Sequence, residues 1–301
     1  MSYSKATEPA CSEAHGAIAL RINPHEKDLG EFTVRRVLPS ARQRMVGPFV
    51  FFDHMGPAEF PPGKGIAVRP HPHIGIATIT YLFEGEIMHR DSLGFVQPIR
   101  CGAVNLMTAG SGIVHSERAG DDLHTTSRLH GIQSWIALPT ELEEMEPGFL
   151  HYPADALPQI ESAGSTVRVI MGSAYGRSSP VKTYSESLYM ECLLQIGARL
   201  DLPDSYQELA VYVVSGEVSI EDQSYPGGVM AVAAAGKSVQ LRADADSRVM
   251  VIGGDALGPR TVWWNFVSSS KERIETAKAD WKEGRFAPVP GDDEFIPLPE
   301  K

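Results

Sequence analysis

The chain has 301 residues, 43 % of them hydrophobic, and a formal net charge of −11, so it is long enough to bury the core of one large domain or of two ordinary ones. Because no basic block is present to bind phosphates, direct contact with nucleic acid is disfavoured. No run approaches the roughly 18 consecutive apolar residues of a membrane span, and residues 1–16 lack the apolar core of a signal peptide.

Short β-type runs dominate the chain, at the spacing of a sandwich or barrel rather than of alternating strands and helices. Five runs come first: FTVRRVL (32–38), GPFVFFDHM (47–55), IATITYLF (76–83), GAVNLMTA (102–109) and IQSWIAL (132–138). The acidic segment ELEEMEPG (141–148) is interpreted as a solvated linker. Five more runs follow it: STVRVIMG (165–172), SLYMECLLQI (187–196), LAVYVVSGEVSI (209–220), GGVMAVAA (227–234) and SRVMVIGG (247–254). We therefore predict an all-β fold.

An internal repeat indicates that one β-barrel unit is duplicated. YLFEGEI at 81–87 returns as YVVSGEV at 212–218, and a Gly-x-Val segment follows each in the same order. The boundary between the two units is expected near residues 139–150. This predicts an N-terminal domain of residues 1–142 and a C-terminal domain of residues 143–301.

One helix is predicted, near the C-terminus. Ser269 and Glu272 have the spacing of a capping box. Ile274 and Trp281 lie on a partly apolar face, and Gly284 can end the helix. The proline-rich tail APVPGDDEFIPLPE is expected to lie extended on the surface, docked through its apolar residues.

Cysteine usage bears on the cellular compartment. Cys11, Cys101 and Cys192 are odd in number, far apart and without a CxxC pair. Such usage suits a reducing compartment and argues against a disulfide framework or a thiolate metal site. Together with the composition, it predicts a cytoplasmic protein with neither a membrane nor a nucleic acid as partner.

Two motifs place metal-ligand side chains at the ends of apolar runs. RPHPHIGIATITYLFEG contains His71 and His73, and GSGIVHSERAG contains His115 and Glu117. Residues i and i+2 of a strand project to the same face, so each pair points one way. HxH alone occurs by chance. An HxE that follows it 44 residues later (115 − 71), also at the end of a β-type run, makes a metal site the better interpretation.

Three imidazoles and a carboxylate are costly to bury inside a barrel unless an ion compensates them. Nitrogen and oxygen ligands without thiolate suit iron, zinc, copper, nickel or manganese. Four protein ligands leave one or two coordination positions open, as a catalytic centre requires. Pro72 stiffens the HPH segment because it fixes φ and donates no ladder hydrogen bond. Gly110 and Gly112 permit a close approach beside the second pair.

These motifs resemble those of the pirin family, a branch of the cupin superfamily, over most of the chain. The similar segments are GPFVFFDHMGP (47–57), HPHIGIATITYLFEGEIMHRDS (71–92), GAVNLMTAGSGIVHSE (102–117) and VWWNFVSSSKERIETAKADW (262–281). The resemblance implies a bicupin, two stacked double-stranded β-helix (jelly-roll) barrels with a short C-terminal helix and an extended tail. It also implies one divalent ion in the N-terminal barrel, usually Fe2+ with Zn, Cu, Ni, Mn or Co as alternatives, bound by His71, His73, His115 and Glu117.

Two departures from the family pattern bear on the site. Many pirins read HPHxGxET, whereas this chain has Ala77 and Thr78 near that acidic position, so any supporting role of the acid is missing. The C-terminal repeat contains no HxH, and no histidine follows Tyr206. The second barrel is therefore expected to be metal-free.

The resemblance implies two different functions. The leading expectation is a quercetin 2,3-dioxygenase-like oxidoreductase that opens a flavonol or similar planar enol with O2 and releases carbon monoxide. In this hypothesis Glu117 alternates between metal ligand and general base for the 3-hydroxyl group. The alternative is an iron-binding, redox-sensing regulator whose metal-dependent surface binds a partner protein. A zinc hydratase or isomerase is a third interpretation, which the carboxylate ligand makes less apt.

Several further residues are weaker candidates for the site. His89 and Asp91 are interpreted as solvated loop groups near the barrel mouth, and Asp53 and His54 as turn residues. Met107 is interpreted as a core residue. Gln133 and Trp135 alternate along one strand, so at least one of them is expected to face the lumen. Trp263 and Trp264 are interpreted as core and interface residues.

Overall fold

Strands make up most of the computed structural model, which describes residues 8–28, 30 and 32–300. The first half of the chain contains β1 (Ala10–Glu13), β2 (Ile18–Asn23), β3 (His25–Asp28), β4 (Thr33–Leu38), β5 (Phe49–Phe60), β6 (Ala67–His73), β7 (Ile76–Glu84), β8 (Glu86–Asp91), β9 (Val96–Arg100), β10 (Val104–Thr108), β11 (Ile113–Ala119), β12 (Ser127–Ala137) and β13 (Gly148–Tyr152). Short 3-10 turns cover Asp121–His124, Thr140–Leu142 and Ala154–Ala156.

The second half of the chain is also built from strands. It contains β14 (Gln159–Ser162), β15 (Ser165–Met171), β16 (Ser173–Ala174), β17 (Arg177–Ser178), β18 (Ser187–Leu194), β19 (Arg199–Asp201), β20 (Glu208–Ser215), β21 (Glu217–Ile220), β22 (Gln223–Pro226), β23 (Met230–Ala233), β24 (Gln240–Ala243), β25 (Ser247–Gly254), β26 (Thr261–Trp263), β27 (Phe266–Ser268) and the helix α1 (Lys271–Lys282). In the described part of the chain, no helix has the length and apolarity that a bilayer crossing needs. The absence of a signal-peptide core was predicted from residues 1–16, of which residues 1–7 lie outside the described residues.

The N-terminal barrel consists of two antiparallel sheets. The larger has the order β13-β10-β7-β12-β5-β4-β3, and the smaller has the order β6-β11-β8-β9. Two apolar clusters fill the interior, one around Leu82 and Leu129 and the other around Ile113 and Trp135. The HxH and HxE motifs lie on the neighbouring strands β6 and β11 of the smaller sheet.

The C-terminal barrel repeats this arrangement. Its larger sheet has the order β1-β2-β23-β20-β25-β18-β15-β14, and its smaller sheet has the order β19-β24-β21-β22. A separate apolar cluster fills its interior. The prediction of an all-β fold with two cupin-type barrels is confirmed.

The two larger sheets pack face to face through one apolar cluster that draws on both barrels. Phe52 of the N-terminal barrel meets Tyr212 of the C-terminal barrel edge to face, with ring centroids 5.1 Å apart. Phe49 meets Tyr189 in the same way at 5.7 Å. Such edge-to-face pairs add to the stabilisation that apolar burial provides, and they hold the barrels in the stacked arrangement that the resemblance implies.

The internal repeat corresponds to equivalent hairpins in the two barrels. Gly85 and Gly216 have φ of +87° and +81°, and each turns the chain from the larger sheet into the smaller one. Glycine adopts this conformation without steric cost, which explains its presence in both copies. Tyr81 and Tyr212 lie at the same point before the turn, and both are fully buried at the interface between the barrels.

Both ends of the chain cross to the other barrel. Strand β2 pairs with β23 of the C-terminal barrel, whereas β13 pairs with β10 of the N-terminal barrel. The C-terminal tail docks on the N-terminal barrel, where the amide N–H of Ile296 donates to the carbonyl of Pro70 at 2.8 Å. That residues 1–142 and 143–301 form two separate domains stays a prediction.

The predicted helix is confirmed, but its cap is Ser270 rather than Ser269. The Ser270 hydroxyl accepts the amide of Arg273 at 3.2 Å. Ser269 is instead engaged by Glu143, whose carboxylate accepts its amide at 2.9 Å. The interpretation of 141–148 as a solvated linker was wrong for Glu143, which is buried and lies 2.8 Å from the guanidinium of Arg260.

Candidate metal centre

The pairing of β6 with β11 brings the three histidines of the two motifs together. His71 lies directly opposite His115, and His73 lies opposite Ile113. One nitrogen of each of His71, His73 and His115 lies within 4.8 Å of the others. The side chains are 7 %, 1 % and 2 % exposed, so the group is inside the barrel.

Main-chain acceptors fix the tautomers of His71 and His73. The Nδ1 atom of His71 lies 2.9 Å from the carbonyl oxygen of Arg69. The Nδ1 atom of His73 lies 3.1 Å from the carbonyl oxygen of Asn265. Because a carbonyl oxygen only accepts, both Nδ1 atoms carry the proton, and both Nε2 atoms keep a lone pair. A metal-binding histidine commonly has this arrangement.

His115 presents an unsatisfied atom to the same space. Its Nε2 is buried and has no hydrogen-bond partner. Burial lowers the pKa of His71 to about 4 and the pKa of His73 and His115 well below the ordinary value of 6.5. The three rings are therefore neutral at physiological pH. Neutral imidazoles with free lone pairs in a dry site fit a divalent ion such as iron, zinc, copper, nickel or manganese.

Glu117 lies on the same strand but outside the three-histidine group. A β-bulge between His115 and Glu117 shifts the register against β6, so that Glu117 lies opposite Val68 on that strand. In the regular pairing with β8, Glu117 lies opposite His89. Its side chain is buried, and burial raises the pKa of its carboxyl to about 7. Its roles as fourth ligand and general base stay predictions.

His89 and Asp91 are buried rather than solvated, so their interpretation as loop groups was wrong. They are 5 % and 1 % exposed. The Nε2 atom of His89 lies 2.9 Å from Oδ2 of Asp91, and its Nδ1 atom lies 3.5 Å from Nδ1 of His115. The signal in the sequence was their i, i+2 spacing just after the Gly85 hairpin, the same spacing that identified the ligand pairs.

Aromatic side chains form the wall beside the histidines. Trp135 packs edge-on against His73 with ring centroids 5.0 Å apart, and Phe51 stacks on Trp135 at 4.0 Å. Trp135 thus faces the lumen, as predicted for at least one of Gln133 and Trp135. Met107 is buried in the cluster that contains Trp135, as expected of a core residue.

The remaining candidates lie away from the three histidines. Asp53 forms a salt bridge with Arg36 at 2.7 Å, and His54 contacts the Tyr212 hydroxyl at 2.8 Å between the barrels. Both belong to β5 rather than to a turn. Trp263 and Trp264 pack with α1 in a C-terminal apolar cluster, as expected for core and interface residues.

A cleft of about 330 Å³ lies beside the centre. Its lining includes Gly112 and Ile113 at the start of β11, Ser92 after β8, and Arg285 and Phe286 after α1. Ile113 is two residues before His115. None of the three histidines lines this cleft.

Comparison with known proteins gives consistent matches over both barrels. The Pirin family profile matches residues 31–136, and the profile of the Pirin C-terminal cupin domain matches residues 189–287. A pirin-like protein of Caulobacter vibrioides is 51 % identical over 287 residues, which cover 94 % of this chain and 100 % of the relative. A Pseudomonas aeruginosa protein provisionally named quercetin 2,3-dioxygenase is 39 % identical over 278 residues, which cover 91 % of this chain and 87 % of the relative.

A solved structure extends the likeness to three dimensions. The crystal structure of quercetin 2,3-dioxygenase from Acinetobacter baumannii matches with a TM-score of 0.86 at 34 % identity. The match covers 93 % of this chain and 94 % of that chain. The match therefore extends over both barrels.

Proposed function

This chain belongs to the pirin family, and we propose that it is a metal-dependent dioxygenase that opens quercetin or a similar flavonol with O2 and releases carbon monoxide. The observation that carries the proposal is the group of three buried, neutral histidines with ligand nitrogens within 4.8 Å of one another. The likeness to a quercetin 2,3-dioxygenase over 93 % of the chain supports the choice of substrate class.

The ligands proposed for the ion are His71, His73 and His115, with Glu117 as the fourth. The ion itself is proposed to be Fe2+; Zn, Cu, Ni, Mn and Co suit the same nitrogen and oxygen donors. When bound, the ion supplies Lewis-acid and redox chemistry toward a hydroxyl group and O2.

Glu117 is proposed to accept the proton of the substrate's 3-hydroxyl group. Burial raises the pKa of its carboxyl to about 7, and a general base works best when its pKa lies near the operating pH. The carboxylate is on the same strand as His115. Proton transfer would turn the flavonol into its more electron-rich anion, which is the form that reacts with O2.

The wall of the barrel supports a flat aromatic substrate. Trp135 and Phe51 form a stacked pair next to His73, and such rings offer planar apolar surface to a flavonol. Both rings are buried, and an apolar wall that excludes water would strengthen electrostatic interactions at the centre.

Oxygen consumption tests the proposal. Iron(II)-loaded protein is expected to consume O2 when quercetin is added, and His71→Ala is expected to lose both iron and uptake. His124→Ala is a matched control, because His124 is exposed and belongs to neither motif. Uptake that persists in His71→Ala, or its absence from iron-loaded wild type, would count against the proposal.

A regulatory function is the alternative, and one surface favours it. The turn between β8 and β9 and the first residue of β9 expose the apolar side chains of Leu93, Phe95 and Val96 at 44 %, 45 % and 57 %. Exposed apolar groups mark surfaces for partner proteins, and this turn adjoins Asp91. Amide hydrogen exchange of residues 91–96 is expected to differ between iron(II) and iron(III) protein if the alternative holds; identical exchange would argue against it.

A further inference from the structure

We propose that His89 and Asp91 are positioning residues for His115, in a chain of hydrogen bonds that leaves the Nε2 lone pair of His115 free for the metal. The inference rests on the metal centre of the proposed function. It concerns the orientation and tautomer of one ligand, which are measurable whether or not the protein acts on a flavonol.

The chain of contacts follows from strand pairing. Strand β8 lies beside β11, with Asp91 opposite His115 and His89 opposite Glu117. Cross-strand partners project to the same face of a sheet, so Asp91 and His89 lie on the ligand side. Both side chains are more than nine-tenths buried. A buried carboxylate and a buried imidazole require partners.

The protons along the chain are determined by Asp91. Its Oδ1 accepts the main-chain amides of Leu93 at 3.0 Å and Phe95 at 3.1 Å, and its Oδ2 lies 2.9 Å from Nε2 of His89. Because an ionised carboxylate only accepts, His89 carries its proton on Nε2. In the neutral ring the Nδ1 atom of His89 is then an acceptor.

His115 completes the chain. Its Nδ1 lies 3.5 Å from Nδ1 of His89, so one of these two atoms must donate, and the acceptor is His89. The proton of His115 is therefore on Nδ1, and its Nε2, which is buried without a partner, keeps the lone pair. At 3.5 Å this hydrogen bond is long, so the bond from His89 to Asp91 is the stronger of the two.

Packing holds the His89 ring in place. Phe149 stacks on it with ring centroids 4.5 Å apart and an angle of 19° between the planes. His71 and His73, by contrast, are oriented by main-chain carbonyls. His115 is thus the ligand whose orientation side-chain substitutions can change without touching the other two.

Asp91→Asn is the sharpest test. The amide oxygen can still accept the amides of Leu93 and Phe95, while its NH2 group faces Nε2 of His89 and reverses the tautomers of His89 and His115. In chelator-treated protein, 15N NMR of the imidazoles is expected to show the proton of His115 on Nδ1 in wild type and on Nε2 in the variant. The dissociation constant for Zn2+ or Co2+ is expected to rise roughly 10- to 100-fold.

A second variant and a control separate positioning from folding. His89→Phe preserves ring volume and stacking on Phe149 but removes both the acceptor of His115 and the partner of the buried Asp91 carboxylate, so metal binding is expected to weaken and the unfolding temperature to fall. Asp91→Asn keeps a hydrogen-bond partner for His89, so it is expected to weaken metal binding with a smaller fall in unfolding temperature. Asp121→Asn, at an exposed position, is expected to change neither readout. Wild-type tautomers and an unchanged metal dissociation constant in Asp91→Asn would overturn the inference. If wild type binds metal and shows this chain but consumes no O2, the proposed dioxygenase function fails and the inference stands.

Discussion

The Nδ1 atom of His73 lies 3.1 Å from the main-chain carbonyl oxygen of Asn265, 192 residues further along the chain. A proposed metal ligand in the N-terminal barrel is therefore oriented by the segment that follows the C-terminal barrel. Phe266, next to Asn265, forms a bridge to Ile74, which follows His73. Docking of the C-terminal segment and the geometry of the metal centre are thus coupled.

Removal of Glu143 is expected to loosen this segment and to weaken metal binding. The Glu143 carboxylate accepts hydrogen bonds from Ser268 and Ser269 and pairs with the buried Arg260. Loss of one partner of a buried pair costs about 3–5 kcal/mol. Glu143→Ala is therefore expected to lower the free energy of unfolding by that amount, measured by urea denaturation, and to raise the metal dissociation constant.

Glu144 provides the matched control for this prediction. It pairs with Arg273 at 2.8 Å, but its side chain is 55 % exposed. An exposed ion pair contributes about 0–1 kcal/mol, so Glu144→Ala is expected to leave metal binding unchanged. Equal effects of the two substitutions would show that Glu143 has no special role in holding the C-terminal segment.

Metal binding is expected to stabilise the folded protein through His71, His73 and His115. A ligand present at 100 times its dissociation constant stabilises by about 2.7 kcal/mol. A chelator should therefore lower the unfolding temperature of metal-loaded wild type and of His124→Ala, but not that of His71→Ala. Calorimetric scans with and without chelator measure this, and a chelator-sensitive His71→Ala would contradict the ligand assignment.

Stability is expected to fall as the pH drops below the ordinary histidine value of 6.5, partly because of a pair between the barrels. The Nε2 atoms of His54 and His130 lie 2.7 Å apart, with Arg35 and the Tyr212 hydroxyl also contacting His54. Burial lowers the pKa of His54 to about 2 and that of His130 to about 4. Between pH 6.5 and 4 the unfolded chain binds more protons than the folded one, so acid favours unfolding.

Urea titrations at several pH values measure this dependence. His130→Gln is expected to reduce the loss of stability between pH 6.5 and 4, because the substituted side chain does not titrate. His124→Gln, at an exposed position, should retain the wild-type dependence. A His130→Gln slope identical to wild type would mean that other groups account for the acid sensitivity.

Glu117→Gln tests the proposed base. The amide cannot accept the hydroxyl proton, so turnover of iron-loaded protein is expected to fall by roughly 10²- to 10⁴-fold, measured under saturating quercetin with iron content determined in parallel. Glu161→Gln, on the exposed face of β14, is the control. Retention of both iron and full turnover in Glu117→Gln would refute the base role.

The parts of the structure that depend on local pattern were predictable. Alternation along a strand places His71 with His73, and the repeated segments around Gly85 and Gly216 indicate two barrel units. Two adjacent serines, Ser269 and Ser270, both suit a helix cap. Ser270 is the cap, because the amide of Ser269 donates to Glu143, which is distant in sequence.

Features that depend on contacts distant in sequence were not predictable. The main-chain carbonyl of Asn265 accepts a hydrogen bond from His73. Every residue has such a carbonyl, so the sequence does not indicate which one contacts the histidine. Asp91 follows a hairpin and precedes a turn, a context in which such residues are usually solvated. Only the pairing of β8 with β11 shows that it is buried opposite His115.

Under the proposed function, the three-histidine centre directs ring opening of a flavonol by O2. The most direct test is to measure, in one sealed vessel, O2 consumed and carbon monoxide released by iron(II)-loaded protein supplied with quercetin. From the proposed function we expect equal amounts of the two gases, with neither observed for His71→Ala. Iron-loaded wild type that releases no carbon monoxide while quercetin remains intact would contradict it.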